Sequence, residues 1–149
     1  MACEPLVGRR YLQVTKHRTK ADFARFLRDL VDISYPTAEK IVLVMDNLNT
    51  HTPAALYEVF EPAEARRLVE KLELHYTPKH GSWLNMAEIE LSILSRQCLD
   101  RRIGSQAELA REVATWQARR NRREVGINWR FTTADARIKL KHLYPSIAD

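Results

Sequence analysis

The sequence is poor in the residues that mark several classes of protein. It has only two cysteines, Cys3 and Cys98, and neither belongs to a paired-cysteine motif, which argues against a disulfide framework and a cysteine-based zinc site. Four glycines and six prolines in 149 residues are too few for a low-complexity chain. The longest apolar run, residues 41–45, is far shorter than the ~20 residues that cross a bilayer. No basic and then apolar segment opens the chain, so a cytoplasmic protein without a signal peptide is expected.

Positive charge is concentrated in the C-terminal third of the chain. The net charge is +5, yet residues 96–149 hold twelve Lys and Arg against six Asp and Glu, an excess of six. Ten of these twelve cations are arginines. A surface of this kind suits a nucleic-acid backbone, although an ordinary solvated helix face has a similar composition. Charge alone does not choose between the two interpretations.

Hydrophobic periodicity predicts one α/β domain over residues 1–149, in which residues 104–149 form a basic, helical C-terminal part. Alternation predicts strands at 9–15 and 72–76, and the branched run 41–45 predicts a strand covered on both faces. Thr19, Ser105 and Thr132 each precede an acid by three residues, as in a capping box that opens a helix. Further helices are predicted over 53–60, 62–71 and 83–102, and the last helix runs to about 143. The packed face of the first helix is expected to contain Phe23, Phe26, Leu27, Leu30 and Ile33.

Three carboxylates are candidates for chemistry. Asp46 directly follows the apolar strand 41–45, and in open α/β sheets ligands bind beyond the carboxyl ends of the strands. The alternative is that Asp46 opens a turn with Asn47 as a local hydrogen-bonding partner. Glu88 and Glu90 flank opposite sides of the apolar stripe of helix 83–102, so helical spacing does not say which of them turns toward the sheet.

Two-metal phosphoryl-transfer sites are built from acids on successive elements. The order here is typical of them: an Asp at the end of one strand, a second strand, and then a helix that carries an acid. Mg²⁺ prefers carboxylate oxygens, so such a site needs acids that converge from several elements. His51 and His80 are candidates for phosphate contact or for support of the metal ligands. Histidines in such places are more often hydrogen-bonded structural residues.

Two segments resemble motifs of a known family. Ile41-Val-Leu-Val-Met-Asp46-Asn-Leu-Asn-Thr-His51 resembles the second-aspartate motif of DDE transposases of the mariner-like bacterial insertion-sequence class. Pro78-Lys-His-Gly-Ser-Trp-Leu-Asn85-Met-Ala-Glu88 is similar to the third-acid motif of that family, with Met86 where the family usually has Pro. The resemblance places Asn85 and Glu88 on the motif and leaves Glu90 off it.

The resemblance implies a ribonuclease-H-like mixed sheet flanked by helices, Mg²⁺ or Mn²⁺ as cofactor, and DNA cleavage and strand transfer by a dimer at element ends. It implies Asp46 and Glu88 as catalytic metal ligands, supported by Asn47, His51, His80 and Asn85. The expected partner is double-stranded DNA in the bacterial nucleoid, without a membrane. The expected DNA contacts are Arg119, Arg120, Arg122 and Arg123.

The first catalytic Asp of the family has no evident counterpart, because the eight residues before Arg9 contain Glu4 but no Asp. We therefore expect a C-terminal portion of a transposase whose first strands are missing. Such a polypeptide is expected to be inactive or nearly so by itself. A sheet edge left uncovered is expected to promote self-association.

Two other functions stay open at this stage. The chain is alternatively a non-catalytic fragment of a transposase that binds DNA through residues 105–123 or forms dimers. It is alternatively a different metal-dependent nuclease or phosphatase of similar architecture.

Overall fold

A computed structural model describes residues 1–78, 84–139 and 141 and shows a mixed α/β fold. This confirms the predicted fold class. The strands are β1 (Ala2–Glu4), β2 (Arg9–Tyr11), β3 (Ile41–Met45) and β4 (Leu72–Tyr76). The helices are α1 (Lys20–Asp29), α2 (Ala54–Val59), α3 (Pro62–Lys71), α4 (Ala87–Leu94), α5 (Gln106–Arg122) and α6 (Thr133–Lys139).

The described strands form two separate two-stranded sheets. β1 and β2 pair antiparallel, with Cys3 opposite Arg10, and the strand predicted over 9–15 is in fact only three residues long. β3 and β4 pair parallel, from Ile41 opposite Leu72 to Met45 opposite Tyr76. Parallel neighbours need a long crossover, and α2 and α3 supply it. The carboxyl ends of β3 and β4 therefore lie side by side.

One face of β3 is open, which the sequence did not predict. Ile41 and Leu43 pack against the first hydrophobic core, but Val42 and Val44 are 62% and 54% exposed. Branched apolar residues on alternate positions predict a strand covered on both faces, and that prediction was wrong for the described residues. The exposed valines border the groove that is described below.

The N-terminal half of α1 agrees with the sequence, and the segment after it does not. The Thr19 side chain accepts from the Asp22 backbone N–H, and the Asp22 carboxylate accepts from the Thr19 N–H at 3.0 Å, which confirms the capping box. After α1 the chain continues as a π-helical turn, Leu30–Ser34. The wider turn shifts the phase of the helix face. Val31 is therefore buried, whereas Ile33, which was expected in the core, is 73% exposed.

Two hydrophobic cores hold the described elements together. The first joins α1, α2 and α3 to the β3–β4 sheet around Leu27, Leu56 and Leu68, which are all fully buried. The second joins α4 to α5. Its buried members are Leu94, Cys98, Val113 and Trp116, which confirms the apolar stripe predicted for α5.

Local signals set the bounds of the C-terminal helices. Ser105 caps α5 by accepting from the Glu108 N–H at 3.1 Å, and Thr132 and Asp135 form the predicted capping box at α6. The helix predicted over 83–102 is shorter in the structure, because α4 begins at Ala87 and a π-helical turn, Ser95–Leu99, follows it. None of the described helices is long and apolar enough to span a membrane.

Candidate metal centre

A groove of about 850 Å³ runs between β1, α1, the end of β3 and the start of α4. The groove is lined by residues from all three parts of the predicted site, namely the end of β3, the turn after it and the acid-bearing helix α4. The groove is also lined by apolar side chains, among them Val42 and Val44. Four of the residues that the sequence predicted as functional line the groove, namely Asp46, His51, Asn85 and Glu88.

Asp46 lies one residue beyond β3 and is held by His51. The His51 Nδ1 is 2.5 Å from Asp46 Oδ1. The imidazole is itself fixed, because it stacks on the Phe23 ring at 4.6 Å between centroids, and the Tyr76 hydroxyl donates to the His51 carbonyl at 2.9 Å. His51 thus orients one carboxylate oxygen of Asp46 and leaves the other oxygen without a partner among the described residues.

Of the two acids on α4, Glu88 lines the groove and Glu90 does not. Glu88 is exposed, and its carboxylate has no hydrogen bond or ion pair within the part of the chain that the structure describes. Glu90 is only 1% exposed and is bound by two arginines. Glu88 is therefore the acid that is available for a ligand in the groove.

The buried ion-pair network around Glu90 was not found by sequence reasoning. The Arg10 Nε donates to Glu90 Oε2 at 2.8 Å and its Nη2 donates to Oε1 at 2.7 Å, while Arg120 Nη2 donates to the same Oε1 at 3.0 Å. Burial by itself raises the pKa of Glu90, but the hydrogen bonds from Arg10 and Arg120 outweigh burial and hold that pKa below its ordinary value. Glu90 is therefore an ionised structural residue at neutral pH.

The two asparagines of the predicted site both bind backbone groups. The Asn47 amide donates to the Thr77 carbonyl at 3.1 Å, which ties together the chain segments that leave β3 and β4. The Asn85 side chain accepts from the Ala87 N–H at 3.1 Å and so opens α4 just before Glu88. His80 lies outside the described residues.

The groove offers donors of the kind that Mg²⁺ and Mn²⁺ prefer, namely carboxylate oxygens of Asp46 and Glu88. No group of three His, Cys, Asp or Glu side chains close enough to hold a metal ion occurs among the described residues. Asp22 also lines the groove, but one of its oxygens accepts from the Thr19 hydroxyl at 2.7 Å and the other lies 4.0 Å from Arg25 Nη1. Glu4 accepts from the Tyr35 hydroxyl at 2.9 Å. Asp46 and Glu88 are thus two carboxylates of the groove that no arginine pairs with among the described residues, and carboxylate oxygens are of the type that fits a divalent ion.

The predicted basic cluster at the end of α5 splits into two kinds of residue. Arg119, Arg122 and Arg123 are exposed. Arg120 is only 12% exposed, pairs with Glu90, and lies over the Trp116 ring at 5.4 Å. Three arginines of the cluster are therefore on the surface, and Arg120 belongs to the buried network.

A comparison with known protein families identifies the family of the chain. Residues 1–110 match the family described as DDE superfamily endonuclease. The chain belongs to this superfamily. The match includes both candidate acids, Asp46 and Glu88, and ends before the arginines at the end of α5. No curated protein and no solved structure matches the chain.

Membership of the DDE superfamily supports a general type of function. It indicates a transposase- or nuclease-type function with DNA as the substrate. Endonucleases of this superfamily generally use divalent metal ions. The pair of open carboxylates in the groove fits that chemistry.

Proposed function

We propose that this DDE-superfamily chain is the catalytic-core region of a DNA transposase of the mariner-like insertion-sequence class. In this proposal Asp46 and Glu88 bind a divalent ion for DNA strand cleavage and strand transfer. The observation that carries the proposal is that the two acids of the resembling motifs, 42 positions apart in the sequence, line one groove. Glu88 has no competing partner there within the described residues.

Four residues of the groove have distinct parts in this mechanism. A bound divalent ion supplies Lewis-acid stabilisation of the oxygens that attack and leave the phosphorus. Asp46 and Glu88 would hold the ion. His51 keeps the Asp46 carboxylate in one orientation through the 2.5 Å contact. Asn85 accepts from the Ala87 N–H at the start of α4, one residue before Glu88.

We propose that this polypeptide by itself cleaves DNA weakly or not at all, because the described groove presents two open acids and no cluster of three. The test is nicking of supercoiled plasmid by the purified chain in Mg²⁺ or Mn²⁺, with Asp46→Asn and an EDTA-treated sample as controls. We expect no nicking above that of the controls. Metal-dependent nicking that Asp46→Asn abolishes would show that the chain is sufficient for cleavage and would overturn this part of the proposal.

DNA is proposed to bind along the exposed arginines of α5. Replacement of Arg119, Arg122 and Arg123 by Gln is expected to weaken DNA binding, because fewer phosphates are then neutralised by the protein. The negative slope of log affinity against log salt concentration is expected to become shallower by about one for each phosphate that an arginine no longer neutralises. Fluorescence anisotropy with a labelled duplex at several salt concentrations measures both quantities.

A control with the same change in net charge is available on another face. Lys40→Gln, Arg66→Gln and Arg67→Gln remove three cations near α3, two of which form only exposed ion pairs. We expect this triple variant to keep a salt slope close to that of the wild type. Equal losses of affinity in the two triple variants would mean that net charge alone governs binding and that α5 is not the interface.

A second candidate function is non-catalytic DNA binding or dimerisation. The exposed basic end of α5 favours DNA binding, and the exposed face of β3, with Val42 and Val44, favours self-association. Such a chain would bind DNA equally well without metal. Sedimentation across micromolar concentrations distinguishes a dimer from a monomer.

A further inference from the structure

The rotation of α4 about its own axis decides which of its two acids faces the groove. Residues two positions apart on an α-helix point about 200° apart. Glu88 and Glu90 therefore leave the helix in nearly opposite directions. Any interaction that fixes Glu90 in the interior also fixes Glu88 in the groove.

Apolar burial anchors the end of α4, at Leu94, but not its first turn. Ile89 and Leu91 are 38% and 46% exposed, whereas Glu90 between them is 1% exposed. The next buried residue of the helix is Leu94, one turn later. The first turn of α4 is thus anchored by a charged side chain rather than by a hydrophobic one.

Arg10, the main partner of Glu90, is itself held by several hydrogen bonds. The Arg10 backbone N–H donates to Asn121 Oδ1 at 2.8 Å, and the Arg10 carbonyl accepts from Asn121 Nδ2 at 2.9 Å. Its guanidinium also donates to the carbonyls of Gly8 and Val125. Arg10 is fully buried and fixed through both its backbone and its side chain, so its two-bond contact with Glu90 leaves α4 little freedom to rotate.

We propose that Arg10 and Glu90 are positioning residues of the DDE site, with Arg120 as the third member of the set, and that their ion-pair network sets the rotation of α4 that presents Glu88 to the metal ion. This inference rests on the proposed function of Asp46 and Glu88. It assigns a role to a network that contains neither of the two proposed metal ligands. It also links α5, which carries the proposed DNA-binding arginines, to the helix that carries the metal ligand.

The first test compares Mn²⁺ affinities, measured by the decrease of the free-ion EPR signal. Glu90→Gln keeps the shape of the side chain but removes its charge, and we expect Mn²⁺ to bind about tenfold more weakly, as is usual when a group that orients a ligand is altered. Arg120→Gln, at the most exposed corner of the network, is expected to weaken binding in the same direction by less. It provides the same test if Glu90→Gln fails to fold.

Two controls separate positioning from general stability. Asp32→Asn removes the acid of another two-bond pair, at 2.8 and 2.9 Å from Arg67, which lies away from α4. Leu68→Ala destabilises the first hydrophobic core, of which α4 is not a part. Both are expected to keep the Mn²⁺ affinity of the wild type, whereas an equal decrease of affinity in Leu68→Ala and Glu90→Gln would overturn the proposal.

The second test needs no metal ion. Spin labels on Glu88→Cys and on Glu58→Cys of α2, with Cys3→Ser and Cys98→Ala, report the orientation of α4 as a distance distribution. We expect one narrow distribution with Glu90 intact and a broader or shifted one in Glu90→Gln and Arg120→Gln. Unchanged distributions would overturn the positioning role, whatever the metal titration shows. Failure of the proposed function has a different signature, because wild type and Asp46→Asn would then bind Mn²⁺ equally.

Discussion

Asp46→Asn is expected to lower the affinity of the chain for Mn²⁺ by about 100-fold or more. The substitution removes a charged ligand oxygen. Even the removal of a group that only orients a ligand generally lowers metal affinity 10- to 100-fold. Glu88→Gln is expected to have an effect of similar size, because both acids line the same groove. The double variant should bind hardly more weakly than either single variant, since two ligands of one ion act as a unit. EPR titration, repeated with Mg²⁺ as competitor, measures these affinities.

The control for this series is another acid that lines the same groove. Asp22 is held by Thr19 in the capping box of α1, so Asp22→Asn changes the charge of the groove without removing a proposed ligand. Its Mn²⁺ affinity should lie close to that of the wild type. If Asp22→Asn and Asp46→Asn weaken Mn²⁺ equally, the groove attracts cations by its overall charge, and no specific site exists at Asp46.

Glu90→Ala is expected to lower the free energy of unfolding by about 3–5 kcal/mol, which is the usual cost of removing one partner from a buried ion pair. The substitution leaves the Arg10 and Arg120 guanidinium groups in the interior without their counter-charge. Arg10 keeps the carbonyls of Gly8 and Val125 as partners, which limits the destabilisation. Urea denaturation followed by the fluorescence of the tryptophans measures the change.

An exposed ion pair provides the reference for this stability measurement. Glu58→Ala breaks the contact with Lys20, in which both side chains are about half exposed, and pairs of this kind contribute at most ~1 kcal/mol. If Glu90→Ala and Glu58→Ala lower the free energy of unfolding equally, the buried network contributes no more to stability than an exposed ion pair. In that case the anchor that we infer for α4 would not exist.

Local signals in the sequence predicted much of the fold. β3, β4 and α3 have their predicted bounds, and the capping box at Thr19 is present, because short-range periodicity and capping decide such features. Asp46 is also where the sequence placed it, directly after a strand. These predictions need only neighbours in the chain, which is why they succeeded.

Features that depend on distant residues were missed. The burial of Glu90 requires Arg10, which lies 80 positions away in the sequence. One available signal was that Glu90 precedes the buried Leu94 by four residues and therefore shares its helix face. A buried glutamate on that face needs a cationic partner, and the sequence offered too many arginines to single out Arg10.

Two other errors concern features that the amino-acid composition conceals. The π-helical turn after α1 carries Ile33 to the surface, because it breaks the regular spacing on which the prediction relied. The open face of β3 could not be predicted from its residues, since Val42 and Val44 are as branched as those of a fully covered strand. Whether a strand is covered depends on which elements pack against it.

The central claim is that the carboxylates of Asp46 and Glu88 meet at one divalent ion, and crystals soaked in Mn²⁺ test it most directly. An anomalous difference map is expected to show a peak in the groove within bonding distance of both carboxylates, with Glu90 still bound to Arg10. A peak bound to other residues, or a Glu88 side chain directed into solvent beside an occupied metal site, would contradict the assignment of this pair.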